Sequence, residues 1–134
     1  MDEHSVEIPK YSFVEAMKSG FINFVNFKGR SSRSAFWYFW AGLYGISFCV
    51  GLVAEALGTQ WMYMTSYALM LPSISAHTRR LHDVNKSGWN YLWHFTGIGF
   101  FYVIYLLVKP SAAANKYGEH PILPDEQGGM IKDD

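Results

Sequence analysis

Five ionisable side chains crowd into one short stretch: Arg79, Arg80, His82, Asp83 and Lys86 of R-R-L-H-D-V-N-K-S-G-W, residues 79–89. Guanidinium groups grip phosphate in a bidentate fork. With Arg30, Arg33 and Lys86, the two arginines could therefore form a site for an anionic lipid headgroup or a phosphorylated ligand. His82 and Asp83 are the candidates for acid–base work on such a headgroup. A plainer reading competes and is preferred. Arg79 and Asp83 are spaced i,i+4 and can pair on one helix face, which leaves Arg80 over, while His82 and Asp83 brace a polar network. Basic residues are in any case what a short cytoplasmic connector between membrane helices requires.

Other chemistries find less support. His77 and His82 are five apart and diverge on a helix, whereas paired zinc-binding histidines of the HExxH kind stand four apart. No metal is expected, and no cofactor, because glycine-rich phosphate loops are absent. GxSxG is absent too, and no Cys/His pair has a reason to be adjacent. The single cysteine, Cys49, lies in an apolar run and reads as a small filler. His94 also falls inside an apolar run, where an ionisable group is costly and marks a possible polar or proton-relay site. Glu55 lies near the edge of a run, where the cost is small.

The elements that must position these residues are visible in the charge distribution. Half of the 134 residues are hydrophobic and only 16% are charged, against about 25% in ordinary soluble domains. Asp, Glu, Lys and Arg are missing from Ser34–Ala54, Ala56–Thr78 and Ser87–Val108, stretches of 21, 23 and 22 residues. About 20 helical residues cross a bilayer core, and A-F-W-Y-F-W-A-G-L-Y-G-I-S-F-C-V-G-L-V-A has no recurring polar face. The sequence therefore predicts an all-α, polytopic membrane protein with about three spans, near 35–54, 60–76 and 89–108. The second is the weakest, with Pro72 expected to kink it. Residues 1–10 read as loose and 111–134 as an irregular tail, leaving a single membrane domain over 11–110. Before the first span, residues 11–27 read as an amphipathic helix opened by the S-x-x-E capping box of Ser12 and Glu15. Its stripe of Phe13, Met17, Phe21 and Phe24 would lie in the headgroup region or against the spans.

Orientation follows from the basic residues. Lys28, Arg30 and Arg33 precede the first span, and Arg79, Arg80 and Lys86 lie between the second and third, while E-A-L-G-T-Q carries none. The N-terminus and the loop 77–88 are thus expected in the cytoplasm and the tail outside. The minority arrangement makes 89–108 a re-entrant hairpin around Gly97-Ile98-Gly99, which returns the tail to the cytoplasm. The first 34 residues lack a cleavable-signal pattern, so the first span should insert as its own signal. Gly42, Gly45 and Gly51, with Gly97 and Gly99, allow close helix approach, and self-association or a membrane-protein partner is expected. Zero net charge argues against nucleic acid as a partner.

The blocks F-K-G-R-S-S-R-S-A-F-W, L-P-S-I-S-A-H-T-R-R-L-H-D-V-N-K-S-G-W, L-L-V-K-P and N-K-Y-G-E-H-P together resemble domain of unknown function 805, the YhaH-like small bacterial inner-membrane proteins, over about residues 11–121. The resemblance implies a polytopic helical protein of the bacterial cytoplasmic membrane and brings no established activity. The family pattern usually has an acidic residue where this chain has Ala35, so Arg30 or Arg33 must find another partner here. The function expected is a non-enzymatic accessory or scaffolding protein that contacts membrane lipids through a basic cytoplasmic face. The alternatives are an oligomeric transporter or channel subunit and a membrane enzyme acting on a lipid headgroup.

Overall fold

The N-terminal helix forms where the capping box predicts. In the computed structural model, which describes residues 9–124, the Ser12 hydroxyl accepts the Glu15 amide while the Glu15 carboxylate accepts the Ser12 amide. The helix they open, α1 (Phe13–Ile22), is shorter than expected. Asn23 ends it by turning its side-chain amide onto the Ser19 carbonyl, the kind of local side-chain bond that competes with helix propagation. The phenylalanines do not form its buried face. Ala16, Ser19 and Gly20 do, because small residues let α1 lie close on the next helix. A Cβ on Gly20 would stand 2.2 Å from Phe39, and one on Gly42 would stand 2.2 Å from the Met17 sulfur. Phe13 and Phe21 remain partly exposed and meet Tyr38 and Phe39 edge to face.

The first expected span is α2 (Arg33–Leu57), capped by Ser32 and closed by Gly58 in the left-handed conformation. At 25 residues it is the one helix among the described residues long and apolar enough to cross a membrane. Gly45 and Gly51 face open space, and Cys49 is exposed on its surface; the expectation of Cys49 as a packed filler is therefore corrected. Residues 60–76 are not one helix. A 3₁₀ segment, Gln60–Tyr63, leads to α3 (Met64–Ala68), a break at Leu69, and α4 (Met70–Asp83). Pro72 has no N–H for the Ala68 carbonyl, so the break falls just ahead of it. The quoted stretch is correspondingly less of a loop than expected. Arg79 to Asp83 are the last turn of α4, which ends with Asn85 in the left-handed region and the Lys86 amide bonded back to the Leu81 carbonyl.

Residues 89–108 also differ from the expected continuous span. A 3₁₀ segment, Gly88–Phe95, runs to an extended Thr96, and α5 (Gly97–Val108) follows. Twelve helical residues reach only ~18 Å, well short of a bilayer core of ~30 Å. The two arms fold on each other: a Cβ on Gly99 would collide with the Trp93 carbonyl at 2.4 Å, which is why glycine stands there. Both ends of the hairpin lie at the last turns of α4. Gly88 abuts Thr78, and the Leu107 carbonyl accepts from Arg80. The expected exit of the tail at the opposite end is thus corrected; the chain doubles back as in the hairpin alternative, with the turn at Thr96 and not at Gly97-Ile98-Gly99, which form the first turn of α5.

The apolar core lies between α2, α4 and α5: Phe36, Phe39, Leu43, Ala76, Leu81, Val103, Leu106 and Leu107. The outer surfaces are apolar as well, with Phe48, Trp61, Trp89, Phe95, Ile98 and Phe101 all more than two-thirds exposed. Apolar exposure on that scale is foreign to a soluble monomer and normal for one in lipid. Among the described residues there is no strand, only an isolated bridge between Asn115 and Gly118.

Candidate functional site: a buried ionic clasp

Three chain segments meet at one end of the molecule: residues 29–34 ahead of α2, the last turn of α4, and the tail after α5. The tail is irregular, as expected, yet docked. Asp83 is the centre. Its Oδ1 accepts Arg30 Nε at 3.0 Å and its Oδ2 accepts Arg80 Nη1 at 2.5 Å and the Ser111 hydroxyl at 2.5 Å. Asp83 and Arg80 are fully buried and Arg30 nearly so. Burial raises the Asp83 carboxyl above its ordinary value, and the Ser111 hydroxyl and the Arg80 and Arg30 guanidiniums oppose that rise.

The remaining guanidinium N–H groups go to backbone carbonyls. Arg30 donates to Ala112 at 2.6 Å, Gly118 at 2.8 Å and Ala113 at 3.3 Å. Arg80 donates to Leu107 at 3.0 Å, Ser31 at 3.3 Å and Lys109. These carbonyls end α5 or belong to segments without helical partners, so the arginines satisfy backbone that burial would otherwise leave orphaned. Backbone bonds lace the same segments: Ser31 N–H to the Arg79 carbonyl, Ala112 N–H to Asp83, and Ile122 N–H to Arg30.

The expected pairing is thereby corrected. Arg80, not Arg79, holds Asp83, and Arg80 is not left over. Arg79 instead donates to the Asn23 and Asn26 carbonyls at 2.6 and 3.0 Å and caps the end of α1. Burial lowers the pKa of both arginines to about 10, still far above neutrality. The partner that Ala35 does not supply to Arg30 is Asp83; Arg33 is exposed and reaches the Val108 carbonyl. Lys86 is half-buried.

His82 donates Nδ1–H to the Gly29 carbonyl at 3.0 Å and stacks on Tyr117 at 3.9 Å between ring centroids. Burial lowers its pKa. Its neighbour Asp83 turns to the arginines rather than to the imidazole. Ser111, Asn115 and Tyr117 were not foreseen as members of this site. The small run S-A-A-A after Lys109-Pro110 was the available signal, since only slim residues let backbone reach a buried guanidinium.

His94 sits elsewhere, half-buried beside Tyr91 and His77, with its Nδ1 buried and without a hydrogen-bond partner. His77 thus joins His94 rather than His82, because the hairpin brings 88–95 back along α4. Among the described residues no three metal-ligating side chains cluster.

An apolar groove of about 560 Å³ opens between α4 and the 88–95 segment, with Ile74 and Thr78 on one wall, Tyr91 and Leu92 on the other, and His82 and Tyr117 at its polar end.

Comparison with known proteins agrees with the resemblance. Inner membrane protein YhaI of Escherichia coli (strain K12) is 28% identical over 104 residues, covering 74% of this chain and 88% of that protein. Inner membrane protein YhaH of the same strain is 30% identical over 110 residues, covering 75% of this chain and 91% of that protein. No solved structure matches the chain. The match to the family described as protein of unknown function (DUF805) spans residues 24–119, from the end of α1 through the tail carbonyls that the clasp holds, and the chain belongs to that family.

Proposed function

We propose that this chain is a small, multi-pass protein of the bacterial inner membrane with a non-enzymatic accessory or scaffolding role, and that its clasp end faces the cytoplasm and contacts anionic lipid headgroups. Two elements cross in this reading: α2, which alone among the described residues is long and apolar enough as one helix, and residues 60–76, short 3₁₀ and helical pieces interrupted at Leu69 whose summed rise is at most ~27 Å. Residues 88–108 enter and return. The observation that carries the reading is the gathering of Lys28, Arg33, Lys86, Lys109 and Lys116 at the clasp end, while the turn at 58–60 has no basic residue. Arg30, Arg79 and Arg80 serve as internal braces, so the lipid-contacting role falls to the outward cations. Each such cation near an anionic surface contributes about 1 kcal/mol. An accessory role is supported by the state of the acid–base candidates, since Asp83 is committed to two arginines and His82 to a carbonyl and a ring.

The test is the relative association of spin-labelled phosphatidylglycerol and phosphatidylcholine with the reconstituted protein. Several-fold preference for the anionic lipid, reduced by salt, is expected. Equal association at low salt refutes the reading.

A second reading, an oligomeric channel or transporter subunit, draws on the His77–Tyr91–His94 cluster and the unpartnered His94 Nδ1. Proton flux in liposomes that disappears in His94→Phe would favour it.

A further inference from the structure

The groove between α4 and the 88–95 segment has a length, a lining and a charged end that call for one kind of occupant. It runs from Met70 to His82 along α4, about 18 Å at ~1.5 Å per residue. Of that length the stretch from Met70 to Ala76, about 9 Å, belongs to the proposed crossing element, and the stretch from His77 to His82 belongs to the headgroup level of the clasp. Its walls are largely apolar, with Ile74 facing Leu92. Thr78 and Tyr91 add polar atoms to the walls, and His82, Ser87 and Tyr117 make the clasp end polar.

Charge collects at that same end. Phe27, Ser87 and Tyr117 line the groove, and each is next in sequence to a lysine: Lys28, Lys86 and Lys116. Lys116 lies over the Tyr117 ring at 5.2 Å and acts electrostatically on His82. None of these three lysines has an ion-pair partner among the described residues. The nearby carboxylate, Asp83, is fully buried and already held by Arg30 and Arg80. A largely apolar slot whose polar end is lined by the sequence neighbours of three lysines without an ion-pair partner matches a chain of hydrocarbon that ends in a negative charge.

We propose that this groove holds one acyl chain of an anionic phospholipid from the surrounding membrane, with the lipid phosphate against Lys28, Lys86 and Lys116. The proposal rests on the membrane reading above and goes beyond it. Surface contact requires only the outward cations, whereas a groove site requires a defined stoichiometry and a steric wall. The 88–95 segment, which starts where Gly88 abuts Thr78 of α4, supplies that wall.

The full-length protein is extracted from vesicles of phosphatidylglycerol and phosphatidylethanolamine in equal amounts, and native mass spectrometry reads the lipids that survive. One phosphatidylglycerol per chain is expected. Ile74→Trp fills the slot and should lower the retained fraction at least tenfold; Leu92→Trp, on the opposite and exposed wall, repeats the test should the first variant fold poorly. Replacing Lys28, Lys86 and Lys116 by Gln should abolish the preference for phosphatidylglycerol. Loss of lipid in the lysine variant but in neither tryptophan variant overturns the groove site and leaves surface contact standing. Retention unchanged in all three variants overturns both. A lipid-free dimer that Ile74→Trp dissociates would assign the groove to a second copy and overturn the proposal as well.

Discussion

Removing the carboxylate at the centre of the clasp should cost far more than a surface ion pair. Asp83 is flanked by two guanidiniums, at 3.0 and 2.5 Å, with side-chain exposures of 0% for Asp83 and Arg80 and 1% for Arg30. In Asp83→Ala both cations stay buried without a counter-charge, and breaking one buried pair in this way costs about 3–5 kcal/mol. Whole-domain stabilities are only ~5–15 kcal/mol. For a chain of this size that loss corresponds to a fall in Tm of roughly 10–20 °C, read by tryptophan fluorescence in detergent. The sharper test is an apolar triple variant, Arg30→Met/Arg80→Met/Asp83→Leu. Exchanging a buried ion cluster for hydrocarbon of similar volume is often neutral or stabilising. Here it should not be, because the arginines also bind the carbonyls of Ser31, Leu107, Lys109, Ala112, Ala113 and Gly118. Each buried polar group left without a partner costs about 1–3 kcal/mol. The triple variant should therefore be at least as unstable as Asp83→Ala, with its tail open to trypsin at Lys116. A triple variant as stable as the wild type would refute the idea that the arginines serve the backbone as well as the charge.

Three further outcomes follow from the same geometry. Arg79→Met frees the Asn23 and Asn26 carbonyls, so hydrogen exchange should quicken across residues 16–27 while α5 stays protected; a uniform increase would mean that Arg79 supports the whole fold. His82 lies outside the segments proposed to cross, and burial holds its folded pKa below the unfolded value of ~6.5. The unfolded chain therefore takes up the proton first, and stability falls as pH drops through about 6.5, by at most ~1.4 kcal/mol per pH unit; Tm measured from pH 7.5 to 5.5 should decline less in His82→Gln than in wild type, and equal slopes would exclude His82 as the cause. In a Cys49→Ser background, Lys28→Cys and Lys116→Cys should label from one face of the membrane and Thr59→Cys from the other; labelling of Lys28→Cys and Lys116→Cys from opposite faces would restore a third crossing.

What the sequence made legible was local. The Ser12–Glu15 box, the apolar run of α2 and the end of the last apolar run at Val108 each depend on neighbours a few residues away, and each appears where expected. The third span was misjudged because an uncharged stretch of 22 residues says how much lipid-compatible chain there is and nothing about its direction. Gly97 and Gly99 were the available hint. The contact that makes Gly99 necessary, with the Trp93 carbonyl, exists only once the hairpin has closed. The helical face of α1 was misjudged for a related reason. Large side chains set an amphipathic pattern, yet the face that fits closest to α2 is the one that carries the smallest, Ala16, Ser19 and Gly20.

The pairing within the clasp shows where helical spacing stops deciding. Arg79 at i−4 and Arg80 at i−3 both lie on the side of α4 that Asp83 occupies, so the local geometry admits either partner. Distant backbone makes the choice. The Asn23 and Asn26 carbonyls at the end of α1 draw Arg79 away, while Leu107, Lys109 and Ser31 hold Arg80 beside Asp83. Arg30 completes the triad from 53 residues upstream. With Ala35 apolar and buried, Arg30 gains no carboxylate from α2, and Asp83 serves both guanidiniums. One carboxylate facing two buried arginines leaves a local excess of positive charge, and carbonyl dipoles from the tail offset it. The tail is thereby part of the charge balance of the clasp, so loss of residues 111–118 should destabilise the end of α4 as well as α5.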